Sequence, residues 1–204
     1  MISVGAASCR DKTRSSCQKR YILHSIMKSW FFHNWMYAGL IAGLFLFAVA
    51  PLFAETFSFP LLLVYLQLPV YMLHQVEEHY HDRFRLFVNE AMAGGREVLS
   101  TQAVIVINVG AVWAVNLIVL YLARFVDLGL GLIAVYLTLI NALVHIIVAV
   151  AKRSYNPGLI TAVLLFLPVG LYSLRVVSSA PDVTTADQLV ALAFAILVHA
   201  AIII

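Results

Sequence analysis

The chain alternates long apolar stretches with short polar connections. Each stretch has about 20 residues, which is the length that a helix needs to cross the hydrocarbon core of a bilayer. The stretches run over Trp35–Phe53, Phe57–His79, Thr101–Ala123, Leu128–Ala151, Gly158–Val177 and Ala186–Ile204. This pattern predicts an all-α, polytopic membrane helix bundle with six transmembrane helices.

The composition agrees with a membrane protein rather than a soluble one. Of the 204 residues, 63% are hydrophobic and 11% are charged, and the mean hydropathy is +0.95. We therefore expect one transmembrane domain over residues 30–204, preceded by a basic and disordered cytoplasmic tail over residues 1–29, in which Met27 is an alternative start. Cys9 and Cys17 lie in this tail, where we expect free thiols.

The basic residues predict the orientation of the bundle. Eleven of the 13 Lys and Arg residues precede the first stretch or follow the second and the fourth. Only Arg124 and Arg175 fall on the other side. Because cytoplasmic loops carry the excess of basic residues, both termini are predicted to be cytoplasmic, and the protein to be multi-pass in the cell (inner) membrane. The net charge of +3 then reflects contact with anionic membrane lipids and gives no reason to expect nucleic acid as a partner.

Candidate chemistry concentrates where the second stretch ends, in the nine residues His74–Asp82. Three histidines and three carboxylates lie there at membrane depth, where charged groups are costly and indicate function. On one continuous helix, His74, Glu77, Glu78 and His81 would share a face, and His79 would point elsewhere, towards headgroups or water. These residue types bind transition metals or transfer protons.

Other stretches carry polar residues at a matching depth. Asn141 and His145 are one turn apart on the fourth helix, and Asn108 and His199 lie on the third and sixth. After the fourth helix, the segment Tyr155–Thr161 contains Asn-Pro-Gly, which predicts a tight turn and then a helix start with free N–H groups. This turn is expected to cap the site or to bind an anionic group.

Three strings together resemble the HXXEE proteins, a largely bacterial family of integral membrane proteins. The strings are His74-x-x-Glu77-Glu78, Asn141-Ala142-x-x-His145 and Tyr155-x-Pro157-Gly158-x-x-Thr161. The resemblance covers about residues 30–204. The function of the family is unknown, and the resemblance implies a metal-dependent enzyme.

Our leading hypothesis is an intramembrane metal-dependent enzyme, a hydrolase in preference to an oxygenase, that acts on a hydrophobic, lipid-like small molecule at the inner leaflet. Its cofactor would be a divalent transition metal, with zinc favoured and iron as the alternative. The candidate metal ligands are His74, Glu77, Glu78, His81, His145 and His199. Glu77 and Glu78 are the catalytic candidates. The candidate substrate-binding residues are Asn141, Tyr155 and Thr161.

Two other functions remain open at this point. Adjacent glutamates with later histidines are reminiscent of metal-independent CAAX-type intramembrane proteases, but here the arginine comes one residue late, at Arg83. Intramembrane Glu and His also suit a proton- or metal-coupled transporter. Against transport, the opposite half of the bundle offers few polar groups, chiefly Gln67, Tyr71 and Asn116.

Overall fold

We describe a computed structural model that covers the backbone of residues 14–203 and the side chains of residues 22, 23, 30, 32 and 34–202. All regular structure in these residues is helical. The α-helices are α1 (Arg14–Phe53), α2 (Phe59–His79), α3 (Arg83–Phe87), α4 (Thr101–Ile105), α5 (Ala114–Phe125), α6 (Leu132–Lys152), α7 (Leu159–Thr161), α8 (Leu167–Ser178) and α9 (Thr185–Ile203).

Six helical segments are long and apolar enough to cross a membrane. They are Asn34–Phe53, Phe59–Met92, Thr101–Phe125, Leu128–Lys152, Leu159–Ser178 and Thr185–Ile202. The predicted six-helix architecture is thereby confirmed, with most boundaries within two residues of those expected. The direction in which the chain enters the membrane stays a prediction.

The first helix begins earlier than expected. α1 starts at Arg14, inside the tail predicted over residues 1–29, and the disorder of that tail stays a prediction. The chain has no glycine or proline between Arg14 and Ala38, and nothing in the backbone therefore stops the apolar helix from continuing towards its N-terminus. Residues 1–13, with Cys9, and the side chain of Cys17 lie outside the described residues. The chain divides into two compact units after Trp35, and the site described below belongs entirely to the second unit.

The second span contains a break that the apolar pattern hides. α2 ends at His79, and His81 and Asp82 have φ values of +54° and +61°. The Arg85 guanidinium holds the break, because its Nη2 lies 2.6 Å from Asp82 Oδ2. Beyond this break α3 follows a new direction, so residues after His79 do not extend the face of α2.

Three short π-helical segments interrupt or extend the spans. They are Val88–Met92 after α3, Val106–Trp113 between α4 and α5, and Ala162–Phe166 between α7 and α8. π-Helical turns occur preferentially near functional sites. Each of these three segments provides residues that contact the site or its cavity, as described below.

Two apolar clusters hold the second unit together. The larger joins α2, α5, α6, α8 and α9 around side chains such as Leu61, Leu132 and Val177. The smaller surrounds Phe166 and Tyr71 and lies beside the polar site, because the Phe166 ring centroid is 4.1 Å from that of His74. α2 and α6 therefore carry the site on helices that are packed on several sides.

Candidate metal centre

Three buried side chains from two helices converge at one point. His74 and Glu78 lie one turn apart on α2, and His145 lies on α6, with exposed fractions of 0%, 5% and 4%. Their nearest ligand atoms all lie within 4.8 Å of one another. His74 Nε2 is 3.6 Å from Glu78 Oε2, and His145 Nε2 is 3.5 Å from Glu78 Oε1. We call these three residues the metal triad. It confirms the expectation that His74 and Glu78 face His145 across the bundle.

The protonation of His74 follows from its partner Thr161. The Thr161 hydroxyl lies 2.6 Å from Glu77 Oε2 and 2.7 Å from His74 Nδ1. A carboxylate can only accept, so the hydroxyl donates to Glu77 and accepts from His74. His74 therefore carries its proton on Nδ1 and turns the Nε2 lone pair towards Glu78. Among the described residues Nε2 has no hydrogen-bond partner.

His145 is fixed in the same tautomer by Asn156. The Asn156 amide nitrogen donates to the His145 backbone oxygen at 2.9 Å, which leaves the amide oxygen 2.7 Å from His145 Nδ1. That oxygen accepts, so His145 also carries its proton on Nδ1. In their neutral forms, both imidazoles thus direct unprotonated Nε2 atoms at a carboxylate. Three acceptors that face one another in a buried site need a cation or a shared proton between them.

The dimensions of the triad fit a single ion. Ligand atoms at tetrahedral positions, about 2.0–2.1 Å from zinc, are about 3.3–3.4 Å apart. The two Nε2–carboxylate distances of 3.5 and 3.6 Å run to different oxygens of Glu78, and one ligand atom from each residue lies within 4.8 Å of the others, so a small movement of the side chains would bring all three to this spacing. Hydrogen bonds donated by the second ring N–H, here to the Thr161 hydroxyl and the Asn156 amide oxygen, are the usual support of metal-bound histidines.

Glu77 faces away from the triad, towards the start of α7. Its carboxylate accepts the Tyr155 hydroxyl at 2.8 Å and the backbone N–H groups of Ile160 and Thr161 at 3.1 and 2.7 Å. It thus fills the N-terminal end of the fifth span, where N–H groups have no helical partner. This corrects the expectation that Glu77 faces His145. Burial, together with the hydrogen bond to Glu77, raises the pKa of the Tyr155 hydroxyl to about 12, so Tyr155 remains a donor at neutral pH.

Gly158 brings this turn against both imidazoles. Its φ is +97°, and a Cβ atom built on it would lie 2.6 Å from His145 Cε1 and 2.9 Å from His74 Cε1. Only glycine combines this backbone conformation with such an approach. The predicted turn is confirmed, and its backbone closes one side of the triad.

His79 is a member of the site that the sequence argument placed elsewhere. It is 4% exposed, and its Nε2 lies 3.2 Å from Glu78 Oε2. α2 ends at His79, and Phe84 of α3 packs against the His79 ring with the two centroids 5.6 Å apart, which covers His79. His79 is therefore a further polar contact of the triad carboxylate, and the expectation that it meets headgroups or water is wrong.

These motifs agree with a comparison against protein-family models. Residues 65–173 match the family described as a protein of unknown function with HXXEE motif. The match covers more than half of the chain and includes the whole triad. The chain belongs to the HXXEE family. No curated protein and no solved structure matches it.

The other predicted ligands of this HXXEE protein lie outside the triad. His81 is exposed and has a left-handed backbone beyond the end of α2, because the break turns it away. His199 on α9 is 9% exposed; its Nδ1 bonds the Ala195 backbone oxygen at 2.8 Å, and it lines a cavity together with Glu78 and His145. Arg83, the arginine compared above with that of the CAAX-type proteases, lies over the Tyr80 ring, with its Cζ 5.4 Å from the ring centroid.

The predicted substrate-binding residues of the HXXEE protein separate into two groups. Tyr155 and Thr161 bond Glu77 and do not line the cavity, whereas Asn141 lines it beside His145. Asn108 lines it too, and it accepts a hydrogen bond of 2.8 Å from Gln75. Sequence reasoning missed the roles of Asn156 and Gln75. Asn156 belongs to the Asn-Pro-Gly turn that the sequence predicted, and that turn was the only sign in the sequence of a role for Asn156.

Proposed function

We propose that this HXXEE protein is a metal-dependent membrane hydrolase that acts on a hydrophobic substrate. The observation that carries the proposal is the metal triad itself: two imidazoles whose Nε2 atoms face one carboxylate, all three side chains buried, with Glu78 and His145 lining an apolar cavity. A divalent ion held by His74, Glu78 and His145 supplies a Lewis acid and a water with a lowered pKa.

Zinc is the favoured ion and iron is the alternative. Two histidines and one carboxylate form the donor set of several zinc hydrolases. The same set also occurs in non-haem iron oxygenases. The three protein ligands would leave a coordination position of the ion open towards the cavity, because Glu78 and His145 both line the cavity. A substrate carbonyl group can approach there without passing through the packed core.

The remaining residues have distinct roles in this proposal. Hydrolysis adds the oxygen of water to the carbonyl carbon, breaks the bond to the leaving oxygen or nitrogen, and transfers a proton to the leaving group. His79 lines the cavity and contacts Glu78, so it is the residue suited to hold and move that proton. Glu77 acts through Thr161 on His74 and is a positioning residue.

A second candidate, metal or proton transport, is favoured by one specific observation. Gln67 is fully buried two turns before His74 on the same face of α2, and it donates to Ser173 Oγ at 3.0 Å. Polar groups thus continue beyond the triad. Metal uptake into vesicles that contain the protein would support transport and contradict an enzyme whose ion stays bound.

The direct test is hydrolysis of a membrane-lipid extract by purified protein. Stripped protein reloaded with zinc should release free carboxylic acids, and chelation should stop the release. Glu78→Gln should be inactive, and Glu97→Gln, whose side chain is 69% exposed, should match the wild type. Equal release by chelated protein and by Glu78→Gln would contradict the proposal.

A further inference from the structure

Two members of the triad, Glu78 and His145, line a cavity of about 420 Å³, a volume typical of sites for small molecules. α2, α3, α6, α9 and the π-helical segment between α4 and α5 all contribute to its wall. Most of the lining is aliphatic or aromatic. Among the described residues that line it there is no Lys, Arg or Asp. The wall therefore offers no Lys or Arg to neutralise an anionic headgroup, and its other basic groups are three histidines.

Part of the cavity wall reaches the surface of the bundle. Four apolar residues line the cavity and are also exposed at the surface: Met92, Val98, Ile147 and Ile202. Ile147 and Ile202 lie within membrane spans, where an exposed side chain meets lipid rather than water. A hydrocarbon chain can therefore enter from the bilayer without crossing water.

One polar atom in the wall has no partner. The Asn141 side chain interacts with the Tyr71 hydroxyl, but its buried Oδ1 makes no hydrogen bond within the described residues, and Asn141 lies one helical turn from His145. A buried acceptor without a donor is costly. A ligand that places an N–H or O–H group beside the triad would satisfy it.

We propose that the cavity binds an uncharged, single-chain lipid amide. Its carbonyl oxygen points to the triad, its N–H donates to Asn141 Oδ1, and its hydrocarbon chain leaves through the exposed part of the wall into the bilayer. An amide fits better than an ester because only the amide brings the donor that Asn141 lacks. The inference names the substrate class of the proposed hydrolase and rests on that function for the direction of the carbonyl group.

Binding to the protein in its metal-free and zinc-loaded forms tests this substrate class independently of catalysis. The probes share an 18-carbon chain: oleamide, methyl oleate without a donor, and oleate with a charge. Wild-type protein in nanodiscs should bind oleamide roughly ten-fold more tightly than methyl oleate, and oleate most weakly. Asn141→Leu preserves the shape of the side chain and should remove the preference for oleamide.

A matched pair of variants tests the location of the bound chain. Ala111→Phe fills the cavity and should abolish binding of both uncharged probes, whereas Ala193→Phe, at an exposed position on α9, should bind as the wild type does. Equal affinities of wild type for oleamide and methyl oleate, or tightest binding of oleate, would overturn the proposal. Metal-dependent hydrolysis with no preference for oleamide would overturn only the substrate class, and oleamide binding without any hydrolysis would overturn only the enzyme.

Discussion

At the scale of single residues, two adjacent glutamates do different work because they point to different elements. Glu78 is 5% exposed and faces the two imidazoles, whereas Glu77 accepts N–H and O–H donors from the turn before α7. Sequence alone showed that both carboxylates lie at membrane depth. It could not separate them, because residues i and i+1 on a helix differ by about 100° in direction and the partner turn is 80 residues away in the chain.

Glu77→Gln should destabilise the protein. The amide keeps the size of the side chain but turns an NH₂ group towards donors and removes the charge at a helix start. Charge-assisted bonds of this kind contribute about 1.5–3 kcal/mol each, so the melting temperature should fall by several degrees. Glu90→Gln, at an exposed position, is the control. A melting temperature equal to that of the control would contradict the capping role.

The hydroxyl of Thr161 should tune metal affinity through His74. Thr161→Val keeps the shape of the side chain but leaves His74 Nδ1 without its acceptor, and partners of this kind change metal affinity by about 10–100-fold. Competition with a zinc chelator measures the loss, and Thr161→Ser should restore the affinity. Thr138→Val is the matched control, since Thr138 is fully buried and bonds only the Ala134 backbone oxygen of its own helix. The same zinc affinity in Thr161→Val and Thr138→Val would argue against any effect through His74.

At the scale of elements, hydropathy predicted the spans well because each helix must expose apolar side chains to lipid over a fixed thickness. The same signal could not predict where α2 ends. The break at His81 and Asp82 depends on the Arg85 contact and on a left-handed backbone at residues that also tolerate helix. For that reason the sequence predicted His81 as a ligand, although the break turns it away from the site.

The turn between α6 and α7 should tolerate no side chain at Gly158. Gly158→Ala combines a positive φ, which costs an L-residue about 1–2 kcal/mol, with a Cβ atom less than 3 Å from both triad imidazoles. Gly95→Ala is the control for the backbone alone, because Gly95 has a φ of +86° and nothing within 4 Å of its Cβ position. Bound metal and melting temperature should both fall in Gly158→Ala, and only the melting temperature in Gly95→Ala. Full metal content in both variants would show that the turn does not close the site.

At the scale of the whole molecule, the bundle gathers polar groups from distant parts of the chain into one layer. Gln75 on α2 bonds both Asn108 and Trp113. His145 on α6 completes the triad with His74 and Glu78 of α2. The sequence predicted this shared depth because the distance of each polar residue from the end of its span gives its position across the membrane. The pairing of particular side chains depends on how each helix rotates about its axis, which is decided by packing.

The basic residues predict the orientation of this layer in the membrane. With eleven of 13 Lys and Arg residues on one side, a fluorescent reporter fused after residue 204 should be active, since such reporters fold in the cytoplasm. An alkaline phosphatase fused at the same point should be inactive. The opposite pair of results would place the triad in the outer leaflet and would exclude entry of substrate from the inner one.

The central claim is that His74, Glu78 and His145 hold one metal ion, and the most direct measurement is the metal-to-protein ratio of purified protein after reloading with zinc. We predict about one ion per chain in the wild type and in Glu97→Gln, and close to none in Glu78→Gln, with Glu78→Gln still folded in its metal-free form. A wild type that holds no zinc or iron, or a Glu78→Gln variant that holds as much as the wild type, would contradict the account.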